Sequence, residues 1–129
     1  MADFLTSFRV TSSGLSAQRL RLNLIAENVA NAQTTRTPEG GPYKRKDPIF
    51  GAKPFNEMLS MEATAGATGV SVERVHVDER PPRMQYDPSH PDANKDGYVA
   101  MPNIDMVTEM VNMMSASRSY ESNVSVLNA

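Results

Sequence analysis

Hydrophobic residues recur at seven-residue intervals near the start of the chain. The column consists of Phe8, Leu15, Leu22 and Val29, with Phe4, Ile25 and Ala26 beside it. The other faces carry charged and amide side chains, among them Arg9, Arg19 and Glu27. An apolar stripe with this periodicity is typical of an amphipathic helix. The pattern therefore predicts a helix over about residues 3–31 with a narrow apolar seam.

The end of the chain has a more regular pattern, with spacings that alternate between four and three residues. This seam consists of Met106, Met110, Met113, Ser117, Tyr120, Val124 and Leu127. Such spacing is typical of the a and d positions of a coiled coil. A second apolar row, Ile104, Val107, Val111 and Met114, lies about 100° round the same helix. The two rows predict a helix over about 104–128 with neighbours on more than one side.

The middle of the chain contains the helix breakers. All nine prolines, and six of the seven glycines, lie from Thr37 to Pro102. We predict short strands at 43–50, 70–77 and 83–86, of which the last can pair with 70–77 across the sequence DERPP. The valines of 70–77 change phase within the segment, which indicates a β-bulge or two shorter strands.

The predicted fold class is mainly α with a small β-rich insert. Two long terminal helices form an antiparallel, coiled-coil-like layer around a turn-rich middle segment. The expected boundaries are 1–35 for the N-terminal helix, 36–103 for the insert and 104–129 for the C-terminal helix. The two helices together form one terminal domain.

Composition excludes several functional classes. The chain has 129 residues, enough for one ordinary domain, and 13 basic against 15 acidic residues. This balance offers no basic face for a nucleic acid. The absence of cysteine excludes disulfides, thiolate catalysis and cysteine-ligated zinc. We also expect no membrane span and no cleaved signal peptide, because no apolar run has the required length.

One segment matches the start of a calcium-binding loop. Asp92, Asn94, Asp96 and Gly97 have the required spacing, but Asn103 stands where the loop needs a bidentate glutamate. Asp-Gly is also a common turn dipeptide, and a turn is the favoured interpretation. A calcium-dependent binding module remains the alternative.

No other residues form a convincing chemical site. His76 and His90 stand apart from any carboxylate cluster, so we predict no catalytic residue, metal site or cofactor. The basic run Lys44, Arg45 and Lys46 is best interpreted as a solvated strand edge, since lysine there discourages strand-on-strand aggregation. A contact with peptidoglycan is the alternative for this run.

Two motifs at opposite ends of the chain resemble the bacterial flagellar axial proteins, the family of rod and hook subunits. The first is Ser-Gly-Leu-x-Ala at 13–17, followed by Asn-x-Ala-Asn-x-x-Thr at 28–34. The second is the helix MVTEMVNMMSASRSYESNVSVLNA at 106–129. The short insert favours a subunit of the proximal rod over other axial subunits, which generally carry larger central domains.

The resemblance implies a structural subunit without enzymatic activity. It implies export through the flagellar type III apparatus without a cleaved signal, and assembly in the periplasm into a helical rod that transmits motor torque. The implied partners are other copies of the chain, other rod proteins, the adaptor at the export gate and MS ring, and the export apparatus.

We expect the assembly interface to lie on the terminal helices. The candidate residues are Phe4, Phe8, Leu15, Leu22, Ile25, Asn28, Val29, Asn31, Met106, Met110, Met113, Tyr120, Val124 and Leu127. Asparagine is a weak helix former, so its presence within the N-terminal helix needs a reason. We expect Asn31 to end the helix in a left-handed conformation and Asn28 to fix register between packed helices. In the free subunit we expect frayed ends, up to about Asn31 and beyond about Asp105.

Overall fold

The computed structural model of the protein describes residues 2–54 and 68–128. In chain order the elements are α1 (Ala2–Ala30), β1 (Lys46–Pro54), β2 (Thr68–Val77), β3 (Arg83–Tyr86), β4 (Tyr98–Met101) and α2 (Met106–Asn128). Two terminal helices with small antiparallel sheets between them confirm the predicted fold class in outline. Residues 55–67 of the predicted insert lie outside the described residues. Within the described ranges, no helix has the combined length and hydropathy that crossing a membrane requires.

The two helices run antiparallel and pack against each other through small residues. At one end, a Cβ atom placed on Gly14 would lie 3.1 Å from the side-chain nitrogen of Asn123. At the other end, Ala32 and Ile104 belong to one buried cluster. In α2, Ala116 has no exposed surface. The lack of a side chain at Gly14 therefore lets the two helices approach closely at that end.

Most residues of the predicted apolar columns are not the buried positions of the two helices. The buried positions of α1 are Ala17, Leu24, Ile25 and Asn28, and those of α2 are Glu109 and Ala116. Phe8 is exposed, whereas Leu15, Leu22 and Val29 are half-buried. The hydropathy pattern located both helices, but the buried positions also include small and polar residues, which such a pattern does not weigh.

Polar side chains lie at the end of α1 and at the beginning of α2, which are next to each other in the antiparallel pair. After Ala30, the backbone N–H and the side-chain amide of Asn31 both donate to the carbonyl of Glu27, at 3.0 and 2.9 Å. The helix therefore ends where we predicted. In α2, Asp105 accepts a hydrogen bond from the backbone N–H of Val107 at 3.1 Å, which is the usual role of an N-cap aspartate.

Strands β1 and β2 form an antiparallel ribbon with one irregularity. Ile49 pairs with Arg74 and Phe50 with Val72, so Glu73 has no partner on β1. This confirms the predicted bulge in 70–77. The strand predicted at 43–50 overlaps β1, which begins three residues later and extends to Pro54. The bulge lets Val72 face α1, beside Leu20, while the later valines of β2 are exposed.

The predicted partner of segment 83–86 was wrong. This segment, β3, pairs with β4 and not with β2; Tyr86 lies opposite Tyr98 and Arg83 opposite Met101. The reason is that β2 is already paired along β1, in a ladder more than twice as long as β3 offers. Val99, which is buried, lies on β4, so this pairing places β3 next to a buried residue.

The turn before β4 depends on Gly97. The N–H of Gly97 donates to the carbonyl of Asn94 at 3.0 Å, and Gly97 has a φ angle of +86°. The side-chain oxygen of Asn94 accepts from the N–H groups of Asp96 and Tyr98, at 2.9 and 3.0 Å. The Asp-Gly dipeptide thus forms a turn, and a Cβ on Gly97 would lie 2.9 Å from the ring of Tyr86.

We predict that Gly97→Ala destabilises the protein more than Gly40→Ala does. Both glycines have positive φ, so alanine at either position costs about 1–2 kcal/mol. Only Gly97 also faces a ring, and this crowding adds about 1 kcal/mol or more, because the space around Gly40 is open. Urea unfolding of the two variants measures the difference. Equal destabilisation would show that the Tyr86 contact is unimportant.

Candidate assembly surface and its buried polar hub

Five polar side chains connect the two helices to the start of β1 inside the chain. We call this cluster the polar hub; it consists of Asn28, Tyr43, Arg45, Asp47 and Glu109. Asn28 lies in α1 and Glu109 lies in the first turn of α2, whereas the other three come from the segment that leads into and begins β1. The hub therefore joins three segments that are distant in sequence.

Asn28 binds the backbone of Lys46 on both sides of its amide group. Its Nδ2 donates to the carbonyl of Lys46 at 2.8 Å, and its Oδ1 accepts from the N–H of the same residue at 2.9 Å. The hydroxyl of Tyr43 donates to the same Oδ1 at 3.0 Å. Asn28 has no exposed surface. The Asn28 side chain, which belongs to a helix, thus makes the two backbone hydrogen bonds that a neighbouring strand could otherwise make. These bonds fix where β1 begins.

Tyr43 is buried against the junction of the helices, in a cluster with Ala32 and Ile104. Burial raises the pKa of the Tyr43 phenol to about 12, and the nearby carboxylate of Glu27 acts in the same direction. The ammonium group of Lys46 lies 5.7 Å from the centre of the Tyr43 ring and 3.0 Å from a carboxylate oxygen of Glu27. The phenol thus stays protonated and can donate to Asn28.

Arg45 lies between two carboxylates inside the hub. Its Nε donates to Glu109 and its Nη1 to Asp47. The side chains of Arg45 and Glu109 are only 15% and 1% exposed. Burial alone would lower the pKa of Arg45, but the hydrogen bonds that it donates to Glu109 and Asp47 raise this pKa above its usual value, so the guanidinium stays charged. The second carboxylate oxygen of Glu109, Oε2, is buried without a hydrogen-bond partner in the described structure.

The solvated-edge interpretation of the basic run was therefore wrong for Arg45. This residue is enclosed because the first turn of α2 lies over the beginning of β1 and brings Glu109 to it. Lys44 and Lys46 are more exposed, and they pair with Glu79 and Glu27, both at 3.0 Å. All three basic side chains thus have acidic partners within the chain, which leaves the peptidoglycan alternative without a free cationic patch here.

The opposite side of α2 carries an exposed row of large apolar residues. We call it the apolar stripe; it consists of Val107, Met110, Val111 and Met114, which are 69%, 56%, 59% and 57% exposed. Fully burying such a side chain contributes about 1.5–3 kcal/mol. Methionine adapts its shape to uneven neighbours. A contiguous exposed row of this kind is typical of a surface that another protein covers.

A second exposed apolar group lies at the far end of the helix pair, near the start of α1. Phe4, Leu5 and Phe8 are exposed, and the rings of Phe4 and Phe8 stack with their centres 6.5 Å apart. Because the helices are antiparallel, this group and the apolar stripe lie at opposite ends of the pair.

The candidate residues from the sequence fall into three groups by exposure. The exposed ones are Phe4, Phe8, Met106 and Met110; the half-buried ones are Leu15, Leu22, Val29, Asn31, Met113, Tyr120, Val124 and Leu127; the buried ones are Ile25 and Asn28. Asn28 is bonded within its own chain, so it has no surface for a neighbour. Sequence reasoning noted Val107, Val111 and Met114 as a second row but left them out of the site. It missed Glu109. The only indication in the sequence was an acidic residue within an otherwise apolar helix turn.

In the loop that resembled a calcium site, Asp92 and Asn94 use their side-chain oxygens for bonds within the chain. The carboxylate of Asp92 accepts from the hydroxyl of Thr35 at 2.6 Å and from the guanidinium of Arg36, and these two contacts hold the pKa of Asp92 below its usual value. Asn94 caps the turn, and Asn103 donates to the carbonyl of Pro81 at 3.2 Å. In the part of the chain that the structure describes, no three carboxylate or histidine groups are placed to hold a metal ion.

Comparison with known proteins gives matches at both ends of the chain. Residues 8–36 match the family described as "Flagella basal body rod protein". Residues 95–129 match "Flagellar basal body rod FlgEFG protein C-terminal". The first match covers most of α1 and the second covers all of α2, so both helices match families of flagellar rod proteins.

Similar curated proteins extend over nearly the whole chain. The flagellar basal-body rod protein FlgC of Borreliella burgdorferi is 43% identical over 96% of this chain and 88% of its own length. The protein of the same name from Escherichia coli O6:H1 is 44% identical, over 96% and 87%. That of Bacillus subtilis is 40% identical, over 95% and 88%. The chain belongs to the FlgC family of flagellar basal-body rod proteins.

We predict that Arg45→Met destabilises the protein by about 3–5 kcal/mol, because it leaves the buried carboxylate of Glu109 without its ion partner. Lys44→Met is a matched control, since Lys44 pairs with Glu79 and both side chains are more than half exposed, and it should cost less than about 1 kcal/mol. Denaturant unfolding provides both values. Adding Glu109→Leu to Arg45→Met should recover part of the loss; no recovery would contradict the buried-pair explanation.

We also predict that Tyr43 makes stability depend on pH in the alkaline range. The folded protein holds the Tyr43 proton up to about pH 12, whereas the unfolded chain releases it near pH 10, so stability falls as pH rises between these values. Tyr43→Phe should be less stable than wild type at pH 8, and this gap should narrow between about pH 10 and 12. Thermal unfolding of wild type, Tyr43→Phe and the exposed control Tyr86→Phe tests this. A gap for Tyr43→Phe that is constant with pH would contradict it.

Proposed function

We propose that this chain is a structural, non-enzymatic subunit of the flagellar basal-body rod. The relatives that it resembles over nearly its whole length are named as basal-body rod proteins. The observation that best supports the proposal is the apolar stripe, because α2 is fixed on one side by the hub and exposes a large apolar surface on the other. A neighbouring rod subunit is the natural cover for that surface.

The two apolar groups suggest how copies and related subunits assemble. They differ from each other and lie at opposite ends of the helix pair, so a contact between them is heterologous. A heterologous contact that does not close into a ring produces an open helical array. In such an array the terminal helices would form the coiled-coil-like layer that the heptad columns indicate, with Leu15, Leu22 and Tyr120 completing their burial against neighbours.

A rod that transmits torque must resist twisting of its subunits. The hub favours this role because it ties both helices and β1 together through side chains without relying on one element alone. We further propose that the subunit acts in the periplasmic part of the basal body, after delivery by the flagellar export apparatus. The proposed partners are other copies of the chain, other rod proteins and the adaptor at the base of the rod. The lack of cysteine suits an oxidising compartment, since no disulfide can form wrongly.

We predict that Met110→Asp and Met114→Asp block rod assembly without unfolding the subunit. Both side chains are exposed in the free chain, so the change in unfolding free energy should stay within about 0.5 kcal/mol. In the rod, each aspartate would be buried in an apolar contact without a partner. Motility and basal-body isolation from a strain that carries each variant provide the readout.

Ser115→Asp is the matched control, because Ser115 is exposed on α2 beside the stripe, and this variant should remain motile. Met113 and Tyr120 are poorer test positions, since they are half-buried and a charge there would disturb the subunit itself. Normal motility of both methionine variants would contradict a role of the stripe in assembly.

A further inference from the structure

Methionine is the residue type of this chain that a peroxide oxidises most readily. The chain has nine methionines but no cysteine and no tryptophan. Without cysteine, the thioether sulfur of methionine is the group that takes an oxygen atom from a peroxide under mild conditions. The product, methionine sulfoxide, is polar and can be reduced back enzymatically, and it disrupts methionine-rich contacts. The positions of the accessible methionines therefore decide what oxidation does to this protein.

The methionines differ widely in exposure within the part of the chain that the structure describes. Met110 and Met114 of the apolar stripe, and Met84 on β3, are each more than half exposed. Met113 is half-buried, and Met101 on β4 is buried. Because an oxidant must reach the sulfur atom, we expect the three exposed methionines to react first.

Two of these three accessible sulfurs lie in the apolar stripe. Met110 and Met114 are one helical turn apart on α2, and the other members of the stripe, Val107 and Val111, have no group that a peroxide converts. Two sulfoxides would place two hydrogen-bond acceptors on a surface that is otherwise apolar. In the free subunit water satisfies these acceptors, and the buried Glu109 lies on another side of α2, so the fold is not disturbed.

We propose that Met110 and Met114 form an oxidation-sensitive site, whose conversion to methionine sulfoxide by a peroxide leaves the free subunit folded but prevents its assembly. In the reaction the sulfur attacks one oxygen of hydrogen peroxide and the O–O bond breaks. Hydroxide leaves and takes up the proton of the transferred oxygen, which gives water and an S–O bond. The sulfur is oxidised by two electrons, and the peroxide is reduced by the same two.

The effect on assembly rests on the proposed function, in which a neighbouring subunit covers the stripe. A sulfoxide oxygen that is buried in an apolar contact without a hydrogen-bond donor weakens association, by about 10-fold or more for each group. Once a neighbour covers the stripe, the sulfurs are out of reach of the oxidant. The site therefore acts on subunits that have left the reducing cytoplasm and have not yet assembled.

Limited treatment of the purified full-length subunit with hydrogen peroxide, followed by peptide mass spectrometry, tests the selectivity. Sulfoxide should form on Met84, Met110 and Met114 about 10-fold faster than on Met101 or Met113. The circular dichroism spectrum and the midpoint of urea unfolding should stay unchanged while only the exposed methionines are oxidised. Equal rates at all five positions, or a loss of helical signal as Met110 and Met114 are oxidised, would overturn the proposal.

Glutamine variants test the effect on assembly, because glutamine places a neutral polar group where the sulfoxide would be. The pair Met110→Gln and Met114→Gln, in one chain, should reduce the number of isolated basal bodies with a complete rod by about 10-fold or more. Met84→Gln is the matched control, since Met84 is similarly exposed but lies on β3, and this variant should assemble as wild type does. Normal assembly of the glutamine pair, or an equal loss in Met84→Gln, would refute the site.

A leucine pair tests whether oxidation acts through these two sulfurs in cells. Met110→Leu with Met114→Leu keeps the apolar character and nearly the volume of the stripe, but it cannot form a sulfoxide. Cells are exposed to hydrogen peroxide while they export the chain, and each strain is compared with its own untreated culture. The fraction of rods lost should be several-fold smaller for the leucine pair than for wild type. Equal losses would overturn the proposal, and so would a leucine pair that builds no rod, because any change at these positions would then block the contact.

Failure of this inference can be told apart from failure of the proposed function. If Met110→Asp and Met114→Asp block assembly while the glutamine pair assembles, the stripe is a rod contact but not an oxidation-sensitive site. If all of these variants assemble, the stripe is not a rod contact.

Discussion

The pairing of the Asn28 amide with the backbone of Lys46 is the constraint on which the rest of the structure depends. One side chain satisfies both the N–H and the carbonyl of Lys46, so the start of β1 is fixed relative to α1. From there the ribbon of β1 and β2 extends along α1, and Arg45, next to Lys46, reaches the first turn of α2. Losing the amide would leave two backbone groups unpaired, at about 1–3 kcal/mol each where they are buried. These two hydrogen bonds explain why asparagine, a weak helix former, stands at position 28 of the helix.

The ion pair between Arg45 and Glu109 has a different physical character from the Asn28 contact. Burying two charges is expensive, and an apolar pair of similar size often gives equal or greater stability. The charged pair instead fixes the position of α2, because Glu109 reaches Arg45 only when α2 starts at one place over β1. The acidic side chain also suits the first turn of a helix, where the helix dipole favours negative charge. The result is a helix held in one orientation, with the apolar stripe on its free side.

Much of the fold could be predicted from sequence, but the hub could not. The seven-residue columns located both helices, and the phase change of the valines located the bulge at Glu73. These features are local and are encoded by periodicity. By contrast, β3 was given the wrong partner, since strand pairing is decided by competition between segments far apart in the chain. Arg45 and Glu109 are 64 positions apart, and hydropathy carries no information about such a pair.

The candidate assembly surface stays a prediction, although exposure separates its residues. Met110 is exposed, whereas Met113 and Tyr120 of the same seam are half-buried. The buried residues of α2 are Glu109 and Ala116, which do not belong to that seam. A small residue and a paired charge can both be buried, although neither adds a large apolar side chain to the pattern. The exposed side of α2 lies opposite these buried residues and carries the row that includes Val107 and Val111.

A cryo-EM map of the assembled basal body that resolves the side chains of this subunit tests the account most directly. The account predicts that Asn28 binds Lys46 of its own chain, as in the subunit alone, and that a neighbouring subunit covers Met110 and Met114. An Asn28 side chain bonded to a neighbour, or a methionine row that faces solvent in the rod, would contradict it.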